Sequence, residues 1–485
     1  MNKFVIGFVF VILTSRFFTE TIAVAPKGVD LLDIAVIPLL CSLALVKNYS
    51  RGVDRRLHRK FLYLVVAFVA ISILSALVNH GRTGFGPLVL FVFGMLEGPL
   101  LYLCLNRLIR DKNLFGEQTA RFINLLLMAE IAVVLLISYP QTIATGNPDL
   151  MSGTFGNNSY QFTALLIIIG GYFVGRQYAR PRALYIALGT QFFVIMTFLL
   201  LQYRTAVPAF FIAYLVLVTI LYGRRFLRLT AIALPIVIMT YFGFSRIATS
   251  SLDLKYEDLL VLSEDLGLLT EYGKYMSYTN TVDMYTDHPL TILFGSGPGT
   301  YVSRANYTFT VEIASSQGKG VGGIITSIFG EKNYFTDVHM RYIFPLYQLE
   351  TLFGSMQINN PNSSILAAAG ELGLPGLLVL GAIYVIALRR SVRFLRYARK
   401  ERDPILLPLA SALVVGMTYL CLISPLDNYM EIARVTIPNW LLFWTVSTLV
   451  RRRQEQKHRD YLVAAGYIAN VPPRLAGQRT VNSHY

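Results

Sequence analysis

Arg204 is the residue whose placement most needs a chemical reason. It stands in LLLQYRTAVPAFF, between two apolar runs. Charge beside hydrocarbon is costly, so a working role is the default reading. A side chain that snorkels to lipid phosphates is the equally simple alternative. Glu97 and Glu130 lie inside apolar runs. Each is either a substrate or proton site, or a hydrogen-bond link between helices. Arg16 and Glu20 are four apart on one helix face, so mutual pairing accounts for them.

Metal chemistry has little support. His58, His80, His288, His339, His458 and His484 make no HExxH and no paired Cys/His spacing. No DxD is placed to hold a metal–nucleotide diphosphate. The stretch FGSGPGTY (294–301) is glycine-rich, but no GK[ST] follows, so its glycines are read as tight turns rather than a phosphate loop.

These residues sit on a strongly apolar chain. Of 485 residues, 54% are hydrophobic and 15% charged, against roughly a quarter charged in soluble proteins. That excludes most soluble enzymes and any disordered chain. Cys41, Cys104 and Cys421 all fall in apolar runs, which implies no disulfide framework. A membrane-spanning helix needs about 20 mostly apolar residues. Candidates fall at 4–24, 29–46, 61–79, 87–105, 121–138, 160–175, 183–201, 205–222, 229–244, 363–388, 404–423 and 436–450. The expected fold is therefore an all-α polytopic membrane protein of about twelve spans. The N-terminal run lacks a small-x-small cleavage site directly after it and reads as a first, uncleaved span. The last two spans are joined by SPLDNYMEIARVT, which is polar enough to be a true loop.

Charge orients the spans. The formal net charge is +15, and 31 of the 43 Lys and Arg residues lie in clusters that a twelve-span arrangement puts on one side. By the positive-inside rule both termini and those loops are cytoplasmic. Topology then explains the charge excess, and nucleic acid is not needed as a partner. The opposite side holds one long connection between spans 9 and 10. Residues 1–244 form spans 1–9, 245–361 the large periplasmic loop, 362–450 spans 10–12, and 451–485 a basic cytoplasmic tail. A loop of that length is usually functional or carries its own structure. Its stretch 255–287 has the period of amphipathic helix, and 314–327 is rich in Gly and Ser. No internal repeat of the inverted-transporter kind is visible.

Four segments, in order, resemble bacterial O-antigen ligases and polysaccharide repeat-unit polymerases. GTFGNNSYQFTALL (153–166) resembles their Gly-x-Phe-x-Asn-x-Asn segment, and LQYRTAVPAFFIAYL (201–215) their Ser-Arg-Gly-rich helix entry. GKYMSYTNTVDMYTDHPLTILFGSGPGTY (273–301) resembles Gly-Arg-x4-Trp followed by His-Pro-Leu-x-Gly-x-Gly-Pro-Gly. PNSSILAAAGELGLPGLLVL (361–380) resembles His-Asn-x-x-Leu followed by Glu-Leu-Gly-x-x-Gly.

The resemblance implies a glycosyltransferase C-like helical fold in the inner membrane. It implies metal-independent transfer of an oligosaccharide from undecaprenyl diphosphate to an acceptor hydroxyl at the periplasmic face, with no cofactor. Arg204 matches the first motif arginine, expected to hold the diphosphate. The second arginine falls on Lys274, which keeps the charge but loses bidentate geometry. The Trp falls on Tyr278, and the histidine on Asn362, which can hydrogen-bond an acceptor but is no base. Arg82, Arg246 and Arg304 are reserve cations, and Asn158 a substrate contact. Asp287, His288 and Glu371 are the candidates for a base. The bland alternative for Asp287-His288-Pro289 is a helix stop, and for Glu371 packing against the loop glycines. The many loop tyrosines could stack on sugar faces. The primary expectation is a repeat-unit polymerase for O-antigen, capsule or exopolysaccharide. A chain-length regulator and a flippase are its implied partners beside the bilayer. A ligase acting on lipid A–core and a glycan transporter are the alternatives. The absence of His at 362 weighs against the ligase, and charges collected at one outer edge weigh against the transporter.

Overall fold

The computed structural model describes residues 2–21, 32–46, 54–156, 158–180, 184–201, 203, 206–223, 273–309, 336–343 and 363–465. They are about 87% helical, with no strand among the described residues. The longer helices are α1 (Asn2–Arg16), α2 (Leu32–Val46), α3 (Arg55–Val78), α4 (Phe85–Leu108) and α5 (Lys112–Val133). Helix α5 runs on through a π turn, Val134–Ser138, into α6 (Tyr139–Thr145). Then follow α7 (Ser159–Ala179), α8 (Leu184–Leu200), α9 (Ala206–Tyr222), α10 (Gly273–Asp287), α11 (Ser364–Glu401), α12 (Leu406–Ile423) and α13 (Ala433–Ala464).

Six helices are long and apolar enough to cross a membrane: α3, α4, α5 with α6, α7, α11 and α12. Shorter apolar helices cover Ile37–Val46, Leu188–Leu200 and Ala206–Tyr222. The expected run 229–244 lies outside the described residues; the other expected runs each fall on a helix. Of the long loop, only 273–309 and 336–343 are described; 255–272 and 314–327 lie outside.

Side chains that accept the first free N–H groups set the helix starts. Asp54 Oδ1 takes Arg56 N and Leu57 N at 3.1 Å and opens α3. Asp111 Oδ1 takes Leu114 N at 3.0 Å below α5, and Ser363 Oγ takes Leu366 N at 3.1 Å below α11. Helix α12 is at the centre, packed on α7, α9, α11 and α13. The first half of α13 is buried through Trp440 and Trp444. Gly98 of α4 leaves the space that the Trp440 ring fills. Trp444 Nε1 donates to Asn106 Oδ1 at 3.0 Å. Arg434, also buried, donates to Ile12 O at 3.1 Å and Ser15 Oγ at 2.9 Å, tying α13 to α1.

Described parts of the basic segments meet one another through ion pairs. Arg453 pairs with Asp403 at 2.8 Å, Lys457 with Glu401 and Arg452 with Glu117. Arg399 of α11 reaches the α9 carbonyl of Ile220 at 2.7 Å.

Toward its other end, α11 is broken at Gly373, where φ is +71° and ψ −171°. Pro375 follows and has no N–H, so the Glu371 carbonyl loses its helical donor. It accepts instead from Gly297 N at 3.1 Å and Ser75 Oγ at 2.9 Å. The Gly370 carbonyl accepts from Ser296 N at 2.8 Å. Segment 294–303 is thereby docked on the break and on α3.

This backbone geometry is essentially restricted to glycine, and a Cβ at 373 would stand 2.5 Å from the Ile292 carbonyl oxygen. Gly373→Ala should cost about 1–3 kcal/mol, read as a lower melting temperature of the detergent-solubilised protein. Gly381→Ala, on the same helix with open space around the added carbon, should be neutral or slightly stabilising. Equal melting temperatures for Gly373→Ala and the unmodified protein would contradict the role given to the break.

Candidate functional site

Glu371 is the last helical residue but one before the break, and fully buried. Its Oε2 accepts from Gly299 N at 2.5 Å. Its Oε1 accepts from Tyr301 N at 3.1 Å and Ser303 N at 3.0 Å. The segment turns at Gly297 (φ +107°) and Gly299 (φ +74°), and three of its amides converge on one carboxylate. A second buried acid, Glu431, accepts from the following amide, Arg304 N, at 2.7 Å. Two carboxylates from distant elements thus hold the stretch 299–304. The role expected of Glu371 as a base does not fit this arrangement, because both oxygens are held by backbone donors. The reading of Glu371 as packed on the loop glycines is the one that fits.

The connection between α12 and α13 is a meeting point. Tyr203 donates its hydroxyl to Asp427 Oδ2. Tyr278 Oη donates to the Pro425 carbonyl at 2.5 Å. Ser363 Oγ donates to Ser424 O at 3.1 Å, and Ser364 Oγ to Asn428 Oδ1 at 2.9 Å. Tyr429 Oη donates to Tyr160 O at 2.7 Å. The Tyr160 and Tyr203 rings lie 4.8 Å apart, and Tyr203 is 6.5 Å from the Tyr429 ring. Thr163 Oγ1 shares a hydrogen bond of 2.7 Å with Tyr419 Oη. Tyr160, Tyr203, Tyr278, Ser363 and Ser364 therefore converge on residues 424–429.

The individual residues divide as follows. Arg204, Arg246 and Asn362 lie outside the described residues. Lys274 stands in the first turn of α10, four residues before Tyr278. Asn158 Oδ1 accepts from Gln161 Nε2 at 3.2 Å at the start of α7. Arg304 brings its backbone N–H to Glu431, and its side chain is half-buried. Arg82, expected as a reserve cation, is paired with Asp337 at 2.6 Å. Asp287, expected as a base, accepts from Arg341 Nη2 at 2.6 Å and Tyr342 Oη at 2.7 Å. His288 is exposed just past the end of α10, and its carbonyl accepts from Thr291 N at 2.8 Å. Asp287-His288-Pro289 is thus a helix stop. Glu97 accepts from Thr436 Oγ1 at 3.0 Å, and Glu130 from Thr154 N at 3.2 Å; both link separate elements. Among the described residues, no three His, Cys, Asp or Glu side chains form a metal-binding group.

Sequence reasoning missed Asp427, Glu431, Tyr160, Tyr203 and Tyr429. One signal was present: two acids within five residues of a short connection, outside the long loop. Burial raises the proton affinity of Asp427 well above the ordinary carboxylate range. Burial, and then the nearby Glu371 charge, pushes Glu431 up to about 8. His339, buried in the segment 336–343, goes the other way, down to about 4. Comparison with protein-family models and with curated proteins finds no match.

A carboxyl with a raised folded pKa binds more protons folded than unfolded between its two values. Glu431 therefore contributes stability at low pH that is lost as pH rises from about 4.5 to about 8. His339 acts oppositely, but only below its ordinary value of 6.5. Between pH 6.5 and 8 the melting temperature should fall with pH, and Glu431→Gln should flatten that fall. An identical slope in the Gln variant would show that Glu431 is charged throughout.

Proposed function

We propose that the chain is a polymerase of lipid-linked oligosaccharide repeat units in O-antigen, capsule or exopolysaccharide synthesis. It works in the bacterial inner membrane, with both termini and the basic clusters in the cytoplasm and residues 424–431 facing the periplasm. The observation that carries this reading is the convergence on residues 424–429. Residues from segments that resemble the transferase motifs, far apart in sequence, meet there.

The chemistry is displacement at an anomeric carbon. An acceptor sugar hydroxyl forms the new C–O bond, and the bond to the undecaprenyl diphosphate oxygen breaks with its electron pair. Charge builds on phosphate oxygens, so cations at a low-dielectric edge stabilise the transition state. Arg204, adjacent to Tyr203, is the first cation. Lys274 is the second, and it stands in the first turn of α10, whose free N–H groups also favour an anion. Asp427, joined to Tyr203 and with its proton affinity raised by burial, is the group that takes the acceptor proton. It replaces Asp287, His288 and Glu371 as the base in this reading. Tyr203 positions it. The transfer needs no metal and no cofactor in this scheme.

A glycan analysis of a deletion strain tests the reading. Single repeat units on lipid, or a core capped by one unit, are expected. Full-length polymer stranded on undecaprenyl diphosphate with bare core would instead make the protein a ligase. Unchanged glycans would refute both. Arg204→Ala should abolish polymer at normal expression, and Lys274→Arg should retain it. Asp427→Asn should lower turnover by about 10²–10⁴-fold, the usual contribution of general acid–base catalysis, with little change in donor affinity. Normal polymer in Arg204→Ala would rule out the diphosphate role.

A further inference from the structure

A cleft of ≈ 220 Å³ lies between the residues that follow α1, α6 and the loop 146–156. Glu20, Ser138, Gln141, Thr145 and Ser152 line it. Among the described lining residues there is a carboxylate, an amide and several hydroxyls, and no cation. Arg16 is 3.7 Å from the Glu20 carboxylate and balances it. The described lining therefore favours a neutral group over an anion such as a phosphate. A neutral polyol has many donors and acceptors to meet.

The walls are built rather than loose. Gly153 N donates to Ser138 Oγ at 3.2 Å. Thr154 is held by the buried Glu130 and donates to Leu13 O at 3.1 Å. Gly156 (φ +67°) passes so close to α1 that a Cβ would lie 2.9 Å from Arg16 Cβ. No side chain can therefore project from it into the cleft. The same loop leads to the reaction centre: Asp149 Oδ1 accepts from Ser159 Oγ at 3.3 Å. The next residue, Tyr160, has its ring 4.8 Å from that of Tyr203, tilted by 57°. The volume is below the roughly 300–1,000 Å³ of drug-sized sites, and suits about one sugar ring.

We propose that this cleft is a carbohydrate subsite, holding one neutral sugar residue of the glycan substrate while the adjoining residue reacts near Tyr203. The assignment rests on the reading of the chain as a glycan transferase. It gives Glu20 and Gln141 the task of recognising sugar hydroxyls, apart from the diphosphate.

The test uses the full-length protein in lipid nanodiscs. The probe is oligosaccharide released by mild acid hydrolysis of the host's own surface polysaccharide, free of lipid and diphosphate. Binding is read by saturation-transfer NMR and titration. Gln141 is exposed, so Gln141→Trp fills the cleft without disturbing the core. It should weaken binding at least tenfold at an unchanged melting temperature, and Glu20→Gln should weaken it severalfold. Arg204→Ala should bind the oligosaccharide as the unmodified protein does. No binding by the unmodified protein, or undiminished binding by both cleft variants, overturns the subsite. If Gln141→Trp does not fold, the Glu20→Gln titration decides. Unchanged glycans in a deletion strain overturn the transferase reading instead, so the two failures are separable.

Discussion

The far end of this molecule depends on one missing hydrogen bond. Pro375 has no N–H, so the helix that reaches Glu371 cannot satisfy its last carbonyls. A buried carbonyl must find a donor elsewhere. The donors come from the glycine-rich segment 294–303 and from Ser75 of α3. Glu371, at the same point, collects three more amides with its carboxylate. The break in α11 therefore works as a socket. It fixes a segment that has no regular structure of its own.

The buried acids follow a common rule. A carboxylate is expensive away from water unless hydrogen bonds compensate it. Glu371, Glu431 and Glu130 each accept backbone N–H groups from irregular segments. Each lies on or beside a helix of the bundle and reaches a loop. The acids thus transfer the rigidity of the packed helices to the connections. Asp427 differs, since it is joined to a tyrosine hydroxyl at the meeting point of several segments. It is the carboxylate of the group whose partners suit proton transfer as well as positioning.

Much of the architecture was legible. Apolar run length marked the helices, because hydrocarbon demands about twenty apolar residues per crossing. The count of twelve spans was less secure. Among the described residues six helices meet both length and hydropathy, because α1, α2, α8 and α9 are short and α13 carries polar residues such as Arg434 and Asn439 in its buried half. The clustering of basic residues was also legible. The site was legible in part. The segments around Tyr278 and Ser363 were singled out, and they do approach one another through residues 424–429.

What the sequence by itself determined is the helical, membrane-embedded class and the alternation of apolar runs with basic clusters. These are sums over local composition, and each residue contributes regardless of its distant neighbours. What only the tertiary structure decided is the task of each charged side chain. Glu371 and Asp287 looked alike as candidate bases, yet one holds three amides and the other an arginine and a tyrosine. Asp427 was an unremarked residue of a short loop until packing brought Tyr203 to it. Partners more than fifty residues away set those differences, and no local pattern encodes them.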